Sequence, residues 1–180
     1  GNGYWANKWA VQLGLRGSDL FKVARLNYLA EFNTARPYTY AHFDRLSNYA
    51  NYNQPLAHPF GANFREFLGL LNYSVKRFDF QGQALYAAYG LDEVGTNYGK
   101  DIFKSYETRS VQYGSHVGQG IKTDLYTLQG KVAYLLNPKY NLRLEIGGVL
   151  RQEKNSLMSH NTAMVTFGLK TSFRNLYYDF

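Results

Sequence analysis

Alternation of apolar and polar residues is the dominant pattern along this chain, and its period of two is that of β-strands. In the first alternating segment, one face carries Trp9, Val11, Leu13 and Leu15. Six further segments alternate in the same way, with apolar faces that run over residues 24–32, 67–75, 80–88, 126–136, 142–150 and 163–173. The pattern predicts an all-β fold of about seven strands, each of roughly 9 to 13 residues.

The connections between these segments differ in length. Those at residues 16–19, 76–78 and 137–141 are short, and those at 33–62, 92–120 and 152–161 are long. Short turns at one end and long loops at the other are typical of outer-membrane barrels. The strand length also fits, since about 9 to 11 tilted residues cross a bilayer, whereas strands of soluble proteins average about 5 to 6. The sequence therefore predicts an antiparallel transmembrane β-barrel.

Periodicity alone does not say which phase the apolar faces meet. In a soluble β-barrel or sandwich that binds a small ligand or a glycan, the same faces would point into a core. Lipid is favoured because aromatic residues gather near the strand ends, where amphipathic rings form girdles at headgroup depth. In addition, Phe180 ends the chain with Tyr178 and Leu176 in phase, which is similar to the C-terminal signal of bacterial outer-membrane barrels. The soluble fold remains the alternative.

The number of strands is odd, whereas single-chain bacterial barrels close with an even number. The first strand would also run inward from the outside, which implies a strand before it. We therefore expect residues 1–180 to form a single domain that is the C-terminal part of a larger barrel. Gly1 starts the chain without the pattern of a signal peptide, so we expect a processed chain or a fragment.

Composition excludes several classes of protein. The 17 Tyr and 12 Phe argue against disorder, and no run of about 20 apolar residues predicts a membrane helix. The net charge of +7 comes from basic residues scattered singly along the chain, whereas a nucleic-acid binder concentrates them in one patch. The chain has no Cys, so disulfides and thiolate metal sites are excluded.

The long connection at 33–62 is the most informative candidate for binding. It interleaves aromatic rings, which stack on sugar C–H faces, with amide groups, which bond hydroxyls. The residues that we expect to contact a glycan or a partner are Tyr38, Tyr40, Tyr49, Tyr52, Asn53, His58 and Asn63. Alternatively, the loop folds inward and closes the barrel mouth, in one conformation favoured by its three prolines. The two interpretations do not exclude each other.

A second candidate set consists of charged residues on the polar faces of the strands. In a barrel these faces line the lumen, which gives Arg25, Glu31, Glu66, Lys131, Arg143, Glu145, Arg151 and Lys170. One interpretation is that the basic members attract an anionic polymer. The other is that basic and acidic members pair into a structural ladder.

Catalytic and metal-binding patterns are weak in this sequence. The four His residues lie in three different loops, none at the spacing of metal ligands, so we expect no metal and no cofactor. Ser115–His116 and Ser159–His160 are adjacent only in sequence, and no nucleophile elbow is present. We therefore expect a protein that is not an enzyme, with an outer-membrane barrel hydrolase as an alternative.

Four segments resemble a known group of proteins, and they read RPYTY at 36–40, NYANYNQPLAHPFGANF at 48–64, NYGKDIF at 97–103 and RNLYYDF at 174–180. The group comprises Bacteroidota outer-membrane barrels related to gliding-motility RemB and to Wzi-type capsule-assembly proteins. The resemblance implies a bacterial outer-membrane location and a role in surface polysaccharide attachment, capsule assembly or gliding motility. It also implies outer-membrane lipid, surface polysaccharide and other envelope proteins as partners.

Overall fold

One antiparallel sheet of seven strands dominates the fold. The computed structural model describes residues 2–172, and none of the helices there is long and apolar enough to cross a membrane. The sheet strands are β1 (Ala10–Gly17), β2 (Leu26–Ala35), β5 (Phe64–Val75), β6 (Phe78–Leu91), β7 (Ile121–Asn137), β8 (Leu142–Lys154) and β9 (Ser159–Lys170). A separate small hairpin consists of β3 (Ala50–Asn51) and β4 (Gln54–Pro55). The all-β prediction is confirmed.

The seven strands lie in the sheet in the order in which they occur in the chain, so neighbouring strands of the sheet are also successive sheet strands in sequence. Their register keeps the apolar faces in phase: Leu13 lies opposite Phe32, and Phe32 lies opposite Phe67. Among the described residues β1 and β9 do not pair with each other, so this sheet is open. We call the side that carries Leu13 and Phe67 the apolar face and the opposite side the polar face.

The apolar face is exposed. Leu13 on β1, Ile146 on β8 and Phe167 on β9 are 64%, 53% and 74% exposed. Side chains that pack against a second layer would be covered. Within residues 2–172, therefore, no second layer covers this face.

The hydrophobic core lies instead on the polar face, at the end of the sheet where the two longest connections emerge. Five buried residues form it: Ala35, Phe64, Ala87, Tyr89 and Leu125. Tyr40 and Phe60, which belong to the connection between β2 and β5, pack against them. The long connection therefore folds inward over the sheet.

Residues 36–63 and 92–120 together form what we call the loop cluster. Backbone hydrogen bonds join its two halves, from Tyr38 N to Gly99 O (2.9 Å) and from Ala62 N to Lys100 O (3.2 Å). Gly99 has a φ of +80°, and a Cβ there would lie 2.6 Å from Tyr38 N, so this close approach requires glycine.

Asn63 fastens the loop cluster to the sheet. Its side-chain amide donates to Gln119 O (2.9 Å) and Gly90 O (3.2 Å), and its Oδ1 accepts from Gly118 N (2.7 Å). Its backbone is left-handed, with a φ of +57°, which asparagine tolerates better than most residues. One buried side chain thus connects the end of β6 with Gly118 and Gln119 of the second long connection.

The predicted long connection at 152–161 is wrong. β8 continues to Lys154 and β9 begins at Ser159, so only residues 155–158 join them. Asn155 closes this turn because its Oδ1 accepts from Leu157 N (2.8 Å) and Met158 N (2.9 Å). The two long connections that remain are those of the loop cluster.

Gly90 and Gly82 offer a matched test of how the loop cluster docks on β6. A Cβ at Gly90 would lie 1.7 Å from Gln119 O, whereas a Cβ at Gly82 would meet nothing within 4 Å. We expect Gly90→Ala to lower stability by about 1 to 3 kcal/mol and to speed proteolysis within residues 92–120, because the loop must shift. Gly82→Ala is the control, and equal melting and cleavage of the two variants would contradict the docking.

Candidate functional site

The structure separates the predicted glycan-contact residues into three groups. Tyr38 and Asn63 are fully buried, Tyr40 and His58 are half-buried, and Tyr49, Tyr52 and Asn53 are exposed. Their contacts decide which of them a ligand can reach.

The predicted ligand role of Tyr38 is wrong, because the residue has no accessible surface. Its hydroxyl donates to Asn97 O (2.7 Å), and its ring meets Trp5 edge-on with centroids 6.0 Å apart. Burial of the hydroxyl is the main cause that raises the pKa of Tyr38 to about 12, and the negative charge of Asp92 raises it further. Tyr38 is a packing residue of the loop cluster.

The same prediction is wrong for Asn63, whose amide is used up by the bonds to Gly90, Gln119 and Gly118. His58 also has internal partners. Its ring stacks on Phe64 with centroids 4.4 Å apart, and its Nε2 lies 3.5 Å from Glu66 Oε1. His58 thus joins the loop cluster to the start of β5.

Tyr52 and Asn53 occupy the tip of the β3–β4 hairpin. Both have left-handed backbones, with φ of +46° and +60°, as a two-residue hairpin turn requires. Tyr52 is 94% exposed and lies outside the cavities described for the loop cluster. The turn places the Tyr52 side chain at the hairpin tip, where its ring points into solvent.

Tyr40 and Tyr49 do come together. Their rings stack with centroids 5.9 Å apart, and Tyr49 N donates to Tyr40 O (3.1 Å). They line a cavity of about 410 Å³, which we call the tyrosine pocket, with Lys8, Thr39, Ala41, His42 and Ser47.

Lys8 is the residue of this pocket that sequence reasoning missed. It precedes β1 in the chain, and its Nζ donates to Ala41 O (2.9 Å) and lies 4.3 Å from the ring centroid of Tyr106. Burial lowers the pKa of Lys8. No local pattern marked it, because residues about 30 positions away bring it to the pocket.

The predicted charges of the polar face are largely paired. Arg143 of β8 binds Asp79 of β6, and the pair spans β7 above the small, buried Ala133. Lys131 Nζ lies 3.7 Å from Glu145 Oε2 on the neighbouring strand. These contacts support the ladder interpretation.

Further pairs extend the ladder towards the loop cluster. Arg151 donates to Glu153 Oε2 (2.6 Å), and Asn33 Nδ2 donates to Glu66 Oε1 (3.0 Å). Glu31 accepts from Gln12 at the longer distance of 3.4 Å. Polar groups on this face thus meet partners on the same strand or on the neighbouring one, as half-covered polar groups require.

Lys170 and Arg25 differ from the rest of the set. Lys170 lines a polar cavity of about 370 Å³ together with Lys131, Arg143 and Glu145. Arg25 lies outside the strands, in the connection before β2, so the prediction that it belongs to the polar face of a strand is wrong. Its backbone is left-handed (φ +65°), and its N–H donates to Asp19 Oδ1 (2.7 Å).

Basic and acidic residues balance on the polar face of the described strands. The basic residues are Arg16, Lys131, Arg143, Arg151 and Lys170, and the acidic residues are Glu31, Glu66, Asp79, Glu145 and Glu153. A balanced face exerts little net attraction on a distant anionic polymer. The balance therefore favours the ladder over electrostatic attraction.

A phenylalanine at Tyr38 tests its structural role. We expect Tyr38→Phe to lose about 1 kcal/mol of unfolding free energy at pH 8, because the Asn97 carbonyl loses one of its two donors and keeps only Ser110 N. Since the folded pKa is raised, the hydroxyl stabilises the fold fully below about pH 10 and less as pH rises toward 12. The gap between wild type and variant should therefore shrink over that range in chemical denaturation. Tyr52→Phe is the exposed control, and a loss as large as that of Tyr38→Phe would contradict the assignment.

Ser115 and His116, which are adjacent in the sequence, do not form a catalytic pair in the structure. Ser115 Oγ is buried without a hydrogen-bond partner, while His116 Nδ1 lies 2.9 Å from Gly114 O, so these neighbours do not bond to each other. In the part of the chain that the structure describes, no three His, Cys, Asp or Glu side chains are placed to hold a metal ion. Comparison of the chain with protein-family models, curated proteins and solved structures finds no match.

Proposed function

We propose that this chain is part of a bacterial outer-membrane β-barrel whose apolar face meets lipid and whose polar face lines the lumen. The observation that carries the proposal is the exposed apolar face, which continues in register across all seven strands. In water, a continuous apolar surface of this width is unfavourable. Hydrocarbon is the solvent that matches it.

Aromatic rings on the apolar face support this environment. One row near the loop cluster joins Phe32 to Phe67 (4.8 Å between centroids), Phe67 to Tyr86 (6.5 Å) and Tyr86 to Tyr126 (4.8 Å). A second row near the short turns consists of neighbouring rings 4.8 to 6.2 Å apart, namely Tyr73, Phe80, Phe78 and Tyr134. Two such rows match the aromatic girdles of membrane barrels.

The spacing of the two rows also fits a bilayer. Phe67 and Tyr73 on β5, like Tyr86 and Phe80 on β6, are separated by about 20 Å along the strand at about 3.3 Å per residue. On the apolar face, the positions between them are apolar or glycine, namely Gly69 and Leu71 on β5 and Gly82 and Ala84 on β6. Because strands of such barrels tilt by about 35 to 45°, this length corresponds to roughly 15 Å of height, which lies within their apolar band of about 25 Å.

The loop cluster sets the proposed orientation. Outer-membrane barrels keep short turns on the periplasmic side and long loops outside. The two long connections of this sheet emerge at the same end, so we place the loop cluster at the cell surface. There it covers part of the polar face and narrows the mouth of the lumen.

For the cellular role we propose surface polysaccharide attachment or capsule assembly, or gliding motility, as one subunit of a Bacteroidota envelope complex and without an enzymatic step. The support is the resemblance described above and the location of its segments. Residues 36–40, 48–63 and 97–103 all lie in the loop cluster, which is the surface that a glycan or an envelope partner would meet.

Neighbouring residues of β9 test the membrane orientation. Val165 is 78% exposed on the apolar face, level with Gly130 and Gly148, while Thr166 points to the polar face. We expect Val165→Arg to reduce barrel assembly, because an arginine at the bilayer midplane costs about 2 to 4 kcal/mol. Thr166→Arg should assemble normally. The measurement is heat-modifiable migration of the membrane fraction, and normal assembly of Val165→Arg would count against lipid contact.

Deletion of the gene tests the cellular role. We expect the deletion strain to lose retention of surface polysaccharide or to stop gliding, and the wild-type gene to restore it. A gene in which residues 48–57 are replaced by Gly and Ser should assemble but fail to restore the phenotype. Unchanged polysaccharide and motility in the deletion strain would refute the role without bearing on the membrane fold.

A further inference from the structure

The tyrosine pocket has the chemistry of a specific site, and it combines three kinds of group. Tyr49, 55% exposed, offers a ring face, and Tyr40 stacks behind it. Lys8 offers an ammonium group, and Thr39, His42 and Ser47 complete the polar wall.

The ammonium group of Lys8 keeps donor capacity for a ligand. A lysine has three N–H donors, and the structure assigns one of them to Ala41 O at 2.9 Å. The ring of Tyr106, 4.3 Å away, supports the charge from one side without forming an ion pair. Among the described residues, no salt bridge neutralises Lys8.

The carboxylates near this region are engaged elsewhere. Asp44 accepts from Leu46 N (3.0 Å) and from Ser47 Oγ (3.3 Å), which caps the short turn at Arg45–Ser47. Glu107 lies 3.8 Å from Arg109. No carboxylate lines the tyrosine pocket itself, so its fixed charge is positive.

The pocket walls are held in place before any ligand arrives. Tyr49 N donates to Tyr40 O (3.1 Å), and Leu56 N donates to Tyr49 O (3.2 Å). Thr39 Oγ1 donates to Arg36 O (2.6 Å), and Trp9 O lies 3.2 Å away. A preformed site loses little conformational entropy on binding.

We propose that the tyrosine pocket binds an acidic sugar unit, with the sugar ring stacked on Tyr49 and its carboxylate paired with Lys8. A ring with an apolar C–H face suits the tyrosine, and a carboxylate suits an ammonium that has unused donors and no acidic neighbour in the pocket. The inference rests on the proposed function in one respect, namely that the loop cluster faces the medium where such polymers occur.

The test uses the complete barrel that contains this chain, in lipid vesicles, with insertion measured by protease protection before binding is measured. The probes are an oligomer of galacturonic acid and the neutral galactose oligomer of the same length and linkage, titrated by calorimetry. We expect the acidic oligomer to bind about tenfold more tightly, as one charge-assisted hydrogen bond would give. We also expect this preference to fall as salt is raised.

Three variants test which pocket residue contributes to binding of each oligomer. Lys8→Met should abolish the preference for the acidic oligomer, while Tyr49→Ala should weaken binding of both oligomers. Tyr52→Ala is the matched control, since it removes an exposed tyrosine of the same connection that lies outside the pocket. Because Lys8→Met also loses its bond to Ala41, the salt dependence of the wild-type protein is the second, variant-free measurement.

Several outcomes would overturn the inference: equal affinity for the two oligomers, a salt-independent preference, or equal losses in Tyr49→Ala and Tyr52→Ala. Its failure is separable from that of the proposed function. Inserted protein that binds neither oligomer refutes the pocket alone, whereas binding by protein that does not insert refutes the membrane assignment alone.

Discussion

The register of six successive antiparallel pairings is the constraint on which the rest of this structure depends. Side chains of a strand alternate with a period of two, so a slip of one residue in any pairing would carry apolar residues to the polar face. Tight turns hold the register where strands are joined directly, with left-handed backbones at Lys76 (φ +53°) and Asn141 (φ +49°). The one irregularity, between Leu135 and Asn137, falls at the turn end of β7 and leaves the alignment of the remaining pairs intact.

The same alignment decides where the protein can bury its own residues. With one face apolar and exposed along its whole width, packing has to develop on the polar face, and it does so where the loop cluster supplies the second layer. Further from the cluster, charged side chains take over. Arg143 crosses β7 to reach Asp79 where the small Ala133 leaves room on the middle strand, so this ion pair depends on side-chain size as well as on charge.

Sequence alone predicted the strands because seven segments carry the period of two, and it failed where that period fades. The ends of β8 and β9 next to their turn carry polar residues on both faces of the sheet, among them Gln152, Lys154, Ser159 and His160. Because no apolar face alternates with a polar one there, the pattern did not predict that these strands extend so far. Burial of Tyr38 was equally hidden. The hydroxyl and the backbone amide of Tyr38 donate to Asn97 O and Gly99 O, about 60 residues away. The composition of the loop does not distinguish this buried ring from the exposed ring of Tyr52.

Burial of Tyr38 also explains why an open, aromatic pocket exists two residues further on. The bonds of Tyr38 to the second half of the loop cluster fix the path of the chain, and a left-handed φ of +65° turns it back toward the N-terminal segment. Tyr40 is thereby presented beside Lys8, and Tyr49 is held against it by a backbone bond. The buried Tyr38 thus fixes the orientation in which Tyr40 lines the pocket. A mobile loop of the same composition would not hold Tyr40 in one orientation.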